Sequence, residues 1–149
     1  MLYFFDTSAL IKRYHQEPGT DVVVEVFETR DAEWLTCTFC WVEAVAVLDR
    51  LCRRGTITRL GWELALSQLN KDIQMEMIRL MDVTRRHVMT CQPLVVQHHL
   101  TAADALILAC ALDLVAEHPL FVCADVRSGL LRATEACGLS TLNPLSPPR

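Results

Sequence analysis

Four acidic residues stand where apolar segments begin or end. Asp6 closes LYFF, Asp125 closes LFVCA, Glu43 lies early in the run TFCWVEAV, and Asp104 interrupts LTAADALILACAL. Carboxylate oxygens are hard ligands of the kind that Mg²⁺ and Mn²⁺ take, and Mg²⁺ keeps several waters while binding few protein groups. Acids gathered at one place repel one another unless a cation neutralises them. Each also has a purely structural explanation. Asp6 and Asp125 suit the N-caps of helices that follow them, and Glu43 and Asp104 suit the positive end of a helix dipole. For Asp104 this is concrete, because Thr101-x-x-Asp104 has capping-box form. Capping suffices for any one acid taken singly; four at one edge of a sheet make a metal site the stronger reading. Other acids serve as controls: Glu25, Glu28, Asp31, Glu63, Asp72 and Glu76 lie in mixed polar–apolar stretches and are expected on solvated faces.

The elements that must position these acids follow from hydrophobic period and breakers. Residues 2–5 read as a buried strand. A short helix follows Asp6 and stops at Pro18-Gly19, and a second spans about 20–30. A strand at 34–37 leads into a helix over 38–54 that ends at Gly55. Thr58 opens another helix, with Leu60, Leu64, Leu66 and Leu69 expected inward. A strand within 75–83 precedes a helix from Thr84, which Pro93 interrupts or restarts. A helix over 101–116, a strand at 119–125, a helix over 126–137 ending at Gly138 and a last strand in STLNP complete the chain. Strands alternating with helices imply an α/β fold with a largely parallel sheet covered on both faces. In such folds ligands bind beyond the carboxyl ends of the strands, at the topological switch point. Asp6 and Asp125 would both project from that edge.

The chain of 149 residues is expected to form one domain over 1–144, with a flexible tail at 145–149. Its hydrophobic content of 52% argues for a compact core. No apolar run reaches membrane-span length without a charge, and MLYFFDTSALIKRY lacks the basic start of a secretory leader, so no membrane and a cytoplasmic location are expected. Seven cysteines, an odd number, fit reduced thiols better than a disulfide framework. Cys37-Thr-Phe-Cys40 has no second pair with which to hold zinc, so core packing is its expected role. The five histidines lack companions at ligand spacing and are expected as solvated helix-end residues. With 18 acidic against 14 basic side chains, net charge is −4, which speaks against a general nucleic-acid binder. Setting four acids against a metal would leave the remainder balanced.

FFDTSALIKRYHQEPG, TFCWVEAVAVLDRL, LTAADALILACAL and LFVCADVRSGLLRATEACGLSTLNP resemble, in order, the four acidic motifs of PIN-domain ribonucleases, and most of all the VapC-type toxins of prokaryotic toxin–antitoxin systems. The resemblance runs from residue 2 to about 144 and implies a three-layer α/β/α PIN-like fold with a short, largely parallel central sheet. It implies that Asp6, Glu43, Asp104 and Asp125 hold one or two Mg²⁺ or Mn²⁺ ions, with Asp6 and Asp104 as principal ligands. Ser8 and Thr7 would support the first acid. The implied activity is hydrolysis of RNA phosphodiester bonds by metal-activated water. The implied partners are an RNA substrate, a small antitoxin protein and a second copy of the chain in a homodimer.

RNA also requires cations near the site. Lys12 and Arg13 follow Asp6 on the same short helix, Arg50 follows Glu43 on a similar face with Arg53 and Arg54 beyond it, and Arg127 is two residues past Asp125. Two further classes stay open beside the toxin reading: a PIN-fold nuclease of RNA maturation or decay, and a non-catalytic PIN-like binding module whose acids only cap helices. A nucleotide-binding or receiver-like α/β protein is disfavoured, because no glycine-rich phosphate loop follows the first strand.

Overall fold

A computed structural model describes residues 1–125, 127 and 129–146. Strand β1 (Leu2–Phe5) runs into α1 (Thr7–Leu10) and a 3₁₀ turn (Ile11–Arg13), followed by α2 (Thr20–Phe27). Next come β2 (Glu33–Cys37), α3 (Thr38–Arg53), α4 (Arg59–Gln74), β3 (Arg79–Met81) and α5 (Arg85–His98). The remainder is α6 (Ala102–Leu112), a 3₁₀ turn (Val115–Glu117), β4 (Leu120–Val122), α7 (Leu130–Ala136) and β5 (Ser140–Leu142).

The five strands form one sheet in the order β3-β2-β1-β4-β5, parallel throughout. β1 lies at its centre, which is why all four residues of LYFF are buried. Their side chains alternate between faces. Leu2 and Phe4 pack with Phe121 among residues of α5, α6 and α7, whereas Tyr3 and Phe5 pack with Val122 among residues of α1 to α4. The result is three layers, α/β/α. Phe4 and Phe121 stack across the β1–β4 pair with ring centroids 5.7 Å apart. Burying side chains of this size contributes about 1.5–3 kcal/mol each. From β1 the chain builds outward to β2 and β3, then crosses to the other side for β4 and β5. The switch point therefore lies between β1 and β4, the two strands that lead to Asp6 and Asp125.

Several expectations need correction. Leu60 and Leu64 are 65% and 62% exposed, and the inward stripe of α4 is Ala65, Leu69 and Asp72. Asp72, expected on a solvated face, is only 2% exposed. Its carboxylate accepts hydrogen bonds from Arg13 Nε at 2.7 Å, Tyr14 Oη at 3.0 Å and Gln68 Nε2 at 2.7 Å. These partners offset its desolvation and tie α4 to the turn after α1. His87, expected in solvent, is buried. Its Nδ1 accepts the Thr84 N–H at 2.9 Å, which caps α5, so Nε2 carries the proton toward Asp113 Oδ2 at 2.7 Å. Pro93 does not divide α5, which runs unbroken through it with the ring on an exposed face; the next residue, Leu94, is buried and anchors the turn. The helix expected over 126–137 is seen from Leu130, after Gly129 at φ +79°; Val126 and Ser128 lie outside the described residues. Of the tail expected at 145–149, Leu145 and Ser146 are exposed, and 147–149 also lie outside them. Cys37 and Cys40 are buried in the core with sulfurs 3.5 Å apart, and all seven cysteines are unbridged. Among the described residues no single helix is long and apolar enough to cross a membrane.

Candidate active site

The site is assembled at the end of β1. The Asp6 N–H donates to Val122 O at 3.1 Å, extending the β1–β4 pairing by one residue before the chain turns into α1. Asp6 is the N-cap of that helix, its Oδ1 accepting the Ala9 N–H at 2.9 Å. Ser8 Oγ donates to the same carboxylate, lying 2.9 Å from each oxygen, and accepts the Ala124 N–H at 2.8 Å. One hydroxyl thus pins the ends of both strands together. Asp6 is 4% exposed. Burial raises its carboxyl pKa from the ordinary 3.8 to about 6, against the opposing pull of the hydrogen bonds from Ala9, Cys123 and Ser8.

Glu43 projects from the second turn of α3 and accepts a 2.6 Å hydrogen bond from Thr7 Oγ1. It is half-buried, and burial followed by the nearby Asp104 charge pushes its pKa up, while the Thr7 bond opposes this. Asp104 occupies the first turn of α6. Its N–H donates to Thr101 Oγ1 at 3.2 Å, and that hydroxyl donates to Asp104 Oδ2 at 2.8 Å. Asp125 follows β4, and its Oδ1 accepts the Arg127 N–H at 2.8 Å.

These four acids line one cavity of 330 Å³ with Thr7, Ser8, Lys12 and Arg50, beyond the carboxyl ends of β1 and β4. The capping explanation and the site explanation therefore hold together for Asp6 and Asp104. A helix start supplies the geometry and the cavity supplies the use. A larger cavity, 700 Å³, lies at the opposite end of the sheet around Trp34 and Met77; of its two acids, Glu33 pairs with Arg79 at 3.6 Å. It gathers no comparable set of carboxylates.

The basic residues divide. Lys12 lines the acidic cavity but is 5% exposed, with its ammonium 2.7 Å from Glu17 Oε1. Glu17 is a fifth cavity acid that the sequence reading missed; its position just before the Pro18-Gly19 breaker, where the chain leaves the first helix near Asp6, was the available signal. Arg13 turns away from the cavity toward Asp72, with its guanidinium 4.1 Å over the Phe27 ring. Arg50 lines the cavity, whereas Arg53 pairs with Asp49 at 2.8 Å and neither it nor Arg54 reaches the site. Arg127 lines a neighbouring cavity.

Among the described residues no group of three or more His, Cys, Asp or Glu side chains is arranged to hold a metal ion by itself. The donor chemistry still fits a hard divalent ion. The oxygens belong to carboxylates, two of them are pushed toward protonation by burial and crowding, and Mg²⁺ completes its shell with water rather than protein. A cation would offset the burial that raises both pKa values and the Asp104 charge that adds to it at Glu43.

Comparison with curated proteins yields no match. The fold is shared with solved structures, of which three illustrate the likeness. FitAB bound to an IR36 DNA fragment superposes with a TM-score of 0.66 at 14% identity, covering 100% of this chain and 99% of that one. VapBC2 from Rickettsia felis, bound to a DNA fragment from its promoter, gives 0.63 at 14% identity over 96% and 98%. A toxin–antitoxin complex from Klebsiella pneumoniae gives 0.60 at 13% over 95% and 97%. At these identities the likeness is one of fold. The PIN domain family matches residues 3–126, a span that contains all four acids and the central strands that present them. The chain belongs to the PIN domain family.

Proposed function

We propose that this PIN domain is a Mg²⁺- or Mn²⁺-dependent endoribonuclease and the toxin of a two-protein toxin–antitoxin pair. The observation that carries the reading is the convergence of Asp6, Glu43, Asp104 and Asp125, from four separate elements, on one cavity at the switch point of the sheet. Asp6 and Asp104 are the principal ligands, and Glu43 and Asp125 complete the set directly or through water. Ser8 and Thr7 hold Asp6 and Glu43 in fixed orientations, so the carboxylates are positioned before any cation arrives. When bound, a divalent ion supplies charge neutralisation and Lewis acidity for hydrolysis of a phosphodiester.

The structural neighbour from Klebsiella pneumoniae is a toxin–antitoxin complex, which supports an antitoxin partner here. The exposed apolar side chains Leu60 and Leu64 on α4, and Val88, Met89 and Val96 on α5, offer surface for that partner and for a second copy. Seven unbridged cysteines accord with the reducing cytoplasm in which we place the protein. A second reading, a non-catalytic PIN-like module, draws on the capping roles of Asp6 and Asp104. Calorimetric titration of Mn²⁺ into the parent protein and Asp104→Asn, followed by cleavage of single-stranded RNA, separates the two. Binding and cleavage lost together in the variant support the nuclease; a parent that binds no divalent ion returns the acids to capping.

A further inference from the structure

A polyanion approaching the acidic cavity meets five carboxylates, against which Lys12 and Arg50 are the basic residues of the lining. Lys12 is held by Glu17, and Arg13 by Asp72. That leaves Arg50 to face five carboxylates, so further cations outside the cavity are needed to hold a strand. Beside the acidic cavity the surface changes sign. A cavity of 430 Å³ is lined by His98, His99, Arg127 and Arg132 over a floor of Gly129 and alanines, and among the described residues no acid lines it.

Two features join it to the acidic centre. The Arg127 backbone N–H donates to Asp125 Oδ1, which holds the arginine's backbone beside that acid. On the other side α5 ends at His99, whose left-handed conformation (φ 55°) turns the chain into Thr101 and α6, the helix that carries Asp104. Among the described residues the ion pairs of this protein engage Lys12, Arg13, Arg53, Arg59, Arg79, Arg86 and His87, but neither Arg127 nor Arg132. Gly129 lies beside Arg132, with 3.8 Å from a guanidinium nitrogen to where a Cβ would stand, and its φ of +79° is one that favours glycine. His98 is half-buried, with Nε2 3.7 Å from Cys137 Sγ, and His99 is exposed.

We propose that this cavity is a phosphate subsite of the nuclease. Arg127 and Arg132 take the backbone phosphate next to the scissile one, and the histidine rings line the path of the adjoining nucleotide. The proposal rests on the ribonuclease reading and names the surface that holds the RNA. Guanidinium groups match phosphate oxygens two at a time, so the site positions a strand without reading its sequence.

The test uses a fluorescein-labelled single-stranded oligoribonucleotide with the Asp104→Asn protein in Mg²⁺, so that binding is read without cleavage. Anisotropy is measured over a salt series for Arg127→Ala, Arg132→Ala, the double variant, and Arg59→Ala as a distant control. Each pocket substitution is expected to weaken binding about tenfold and to flatten the slope of log K against log salt by about 0.7, the loss of one single-strand phosphate contact. Arg59→Ala should match the parent. On an otherwise intact protein, Arg132→Ala should lower kcat/KM on a long RNA and leave it unchanged on a dinucleotide. Unchanged affinity and slope in the double variant overturn the subsite; cleavage by the parent protein then shows that the nuclease reading survives it. Pocket variants that keep RNA binding but release the co-purified partner protein overturn it too, and assign the cavity to that protein.

Discussion

Replacing Asp6 with Asn should stabilise the metal-free protein at neutral pH and destabilise it relative to the parent once a divalent ion is present. In the folded chain burial raises the Asp6 carboxyl pKa from 3.8 to about 6. Below pH 3.8 the group is protonated in both folded and unfolded chains, so burial exacts no ionisation penalty. As pH rises from there through about 6 the unfolded chain ionises first, and folding stability is lost. At about 1.36 kcal/mol per pH unit the full loss is about 3 kcal/mol above pH 6. Asn keeps an oxygen to accept the Ala9 N–H. Its amide, however, replaces one of the two oxygens that Ser8 Oγ lies 2.9 Å from, so the hydroxyl must share the remaining oxygen with the Ala9 N–H. That mismatch returns about 1 kcal/mol. The net expectation for Asp6→Asn in EDTA is a gain of about 2 kcal/mol at pH 8 and a loss of about 1 kcal/mol at pH 3.5. Saturating Mg²⁺, at about 100 times its Kd, should add about 2.7 kcal/mol to the parent alone and reverse the order at pH 8. Urea denaturation followed by circular dichroism, with and without metal, measures all three. A parent–variant difference that stays constant from pH 3.5 to 8 would refute a desolvated carboxyl at this position.

Two other perturbations probe the frame around the site. Asp72→Ala leaves Arg13, Tyr14 and Gln68 without their shared acceptor and should destabilise the fold by about 3 kcal/mol, with Arg13→Ala adding much less in the double variant than alone. Strictly additive losses in a double-mutant cycle by urea denaturation would show that the pair is not coupled. Cys37→Ser and Cys40→Ser should each lower stability by about 1–3 kcal/mol, because a hydroxyl replaces a thiol in the apolar core, while metal affinity and cleavage per folded molecule stay unchanged. A selective loss of cleavage would assign the thiols to the chemistry.

The order of strands and helices, and the four acids at their junctions, were legible in the chain because both are local. LYFF and LFVCA are too apolar to be anything but buried, and a carboxylate directly after such a strand in an alternating α/β pattern must emerge at the carboxyl edge of a parallel sheet. Thr101 and Asp104 showed the start of α6 in the same way. What the chain could not show is which remote groups meet. Asp72 looked like any solvated helix acid because its partner Arg13 stands 59 positions away, and only packing of α4 onto the turn after α1 makes that burial tolerable. The same packing chose the inward face of α4: Ala65 and Leu69 fit beneath it, so Leu60 and Leu64, equally apolar, were left outside. Glu17 entered the site, and Arg13 left it, for one reason. A long charged side chain is placed by the partner it can reach, and tertiary structure alone decides which partners come within 3 Å.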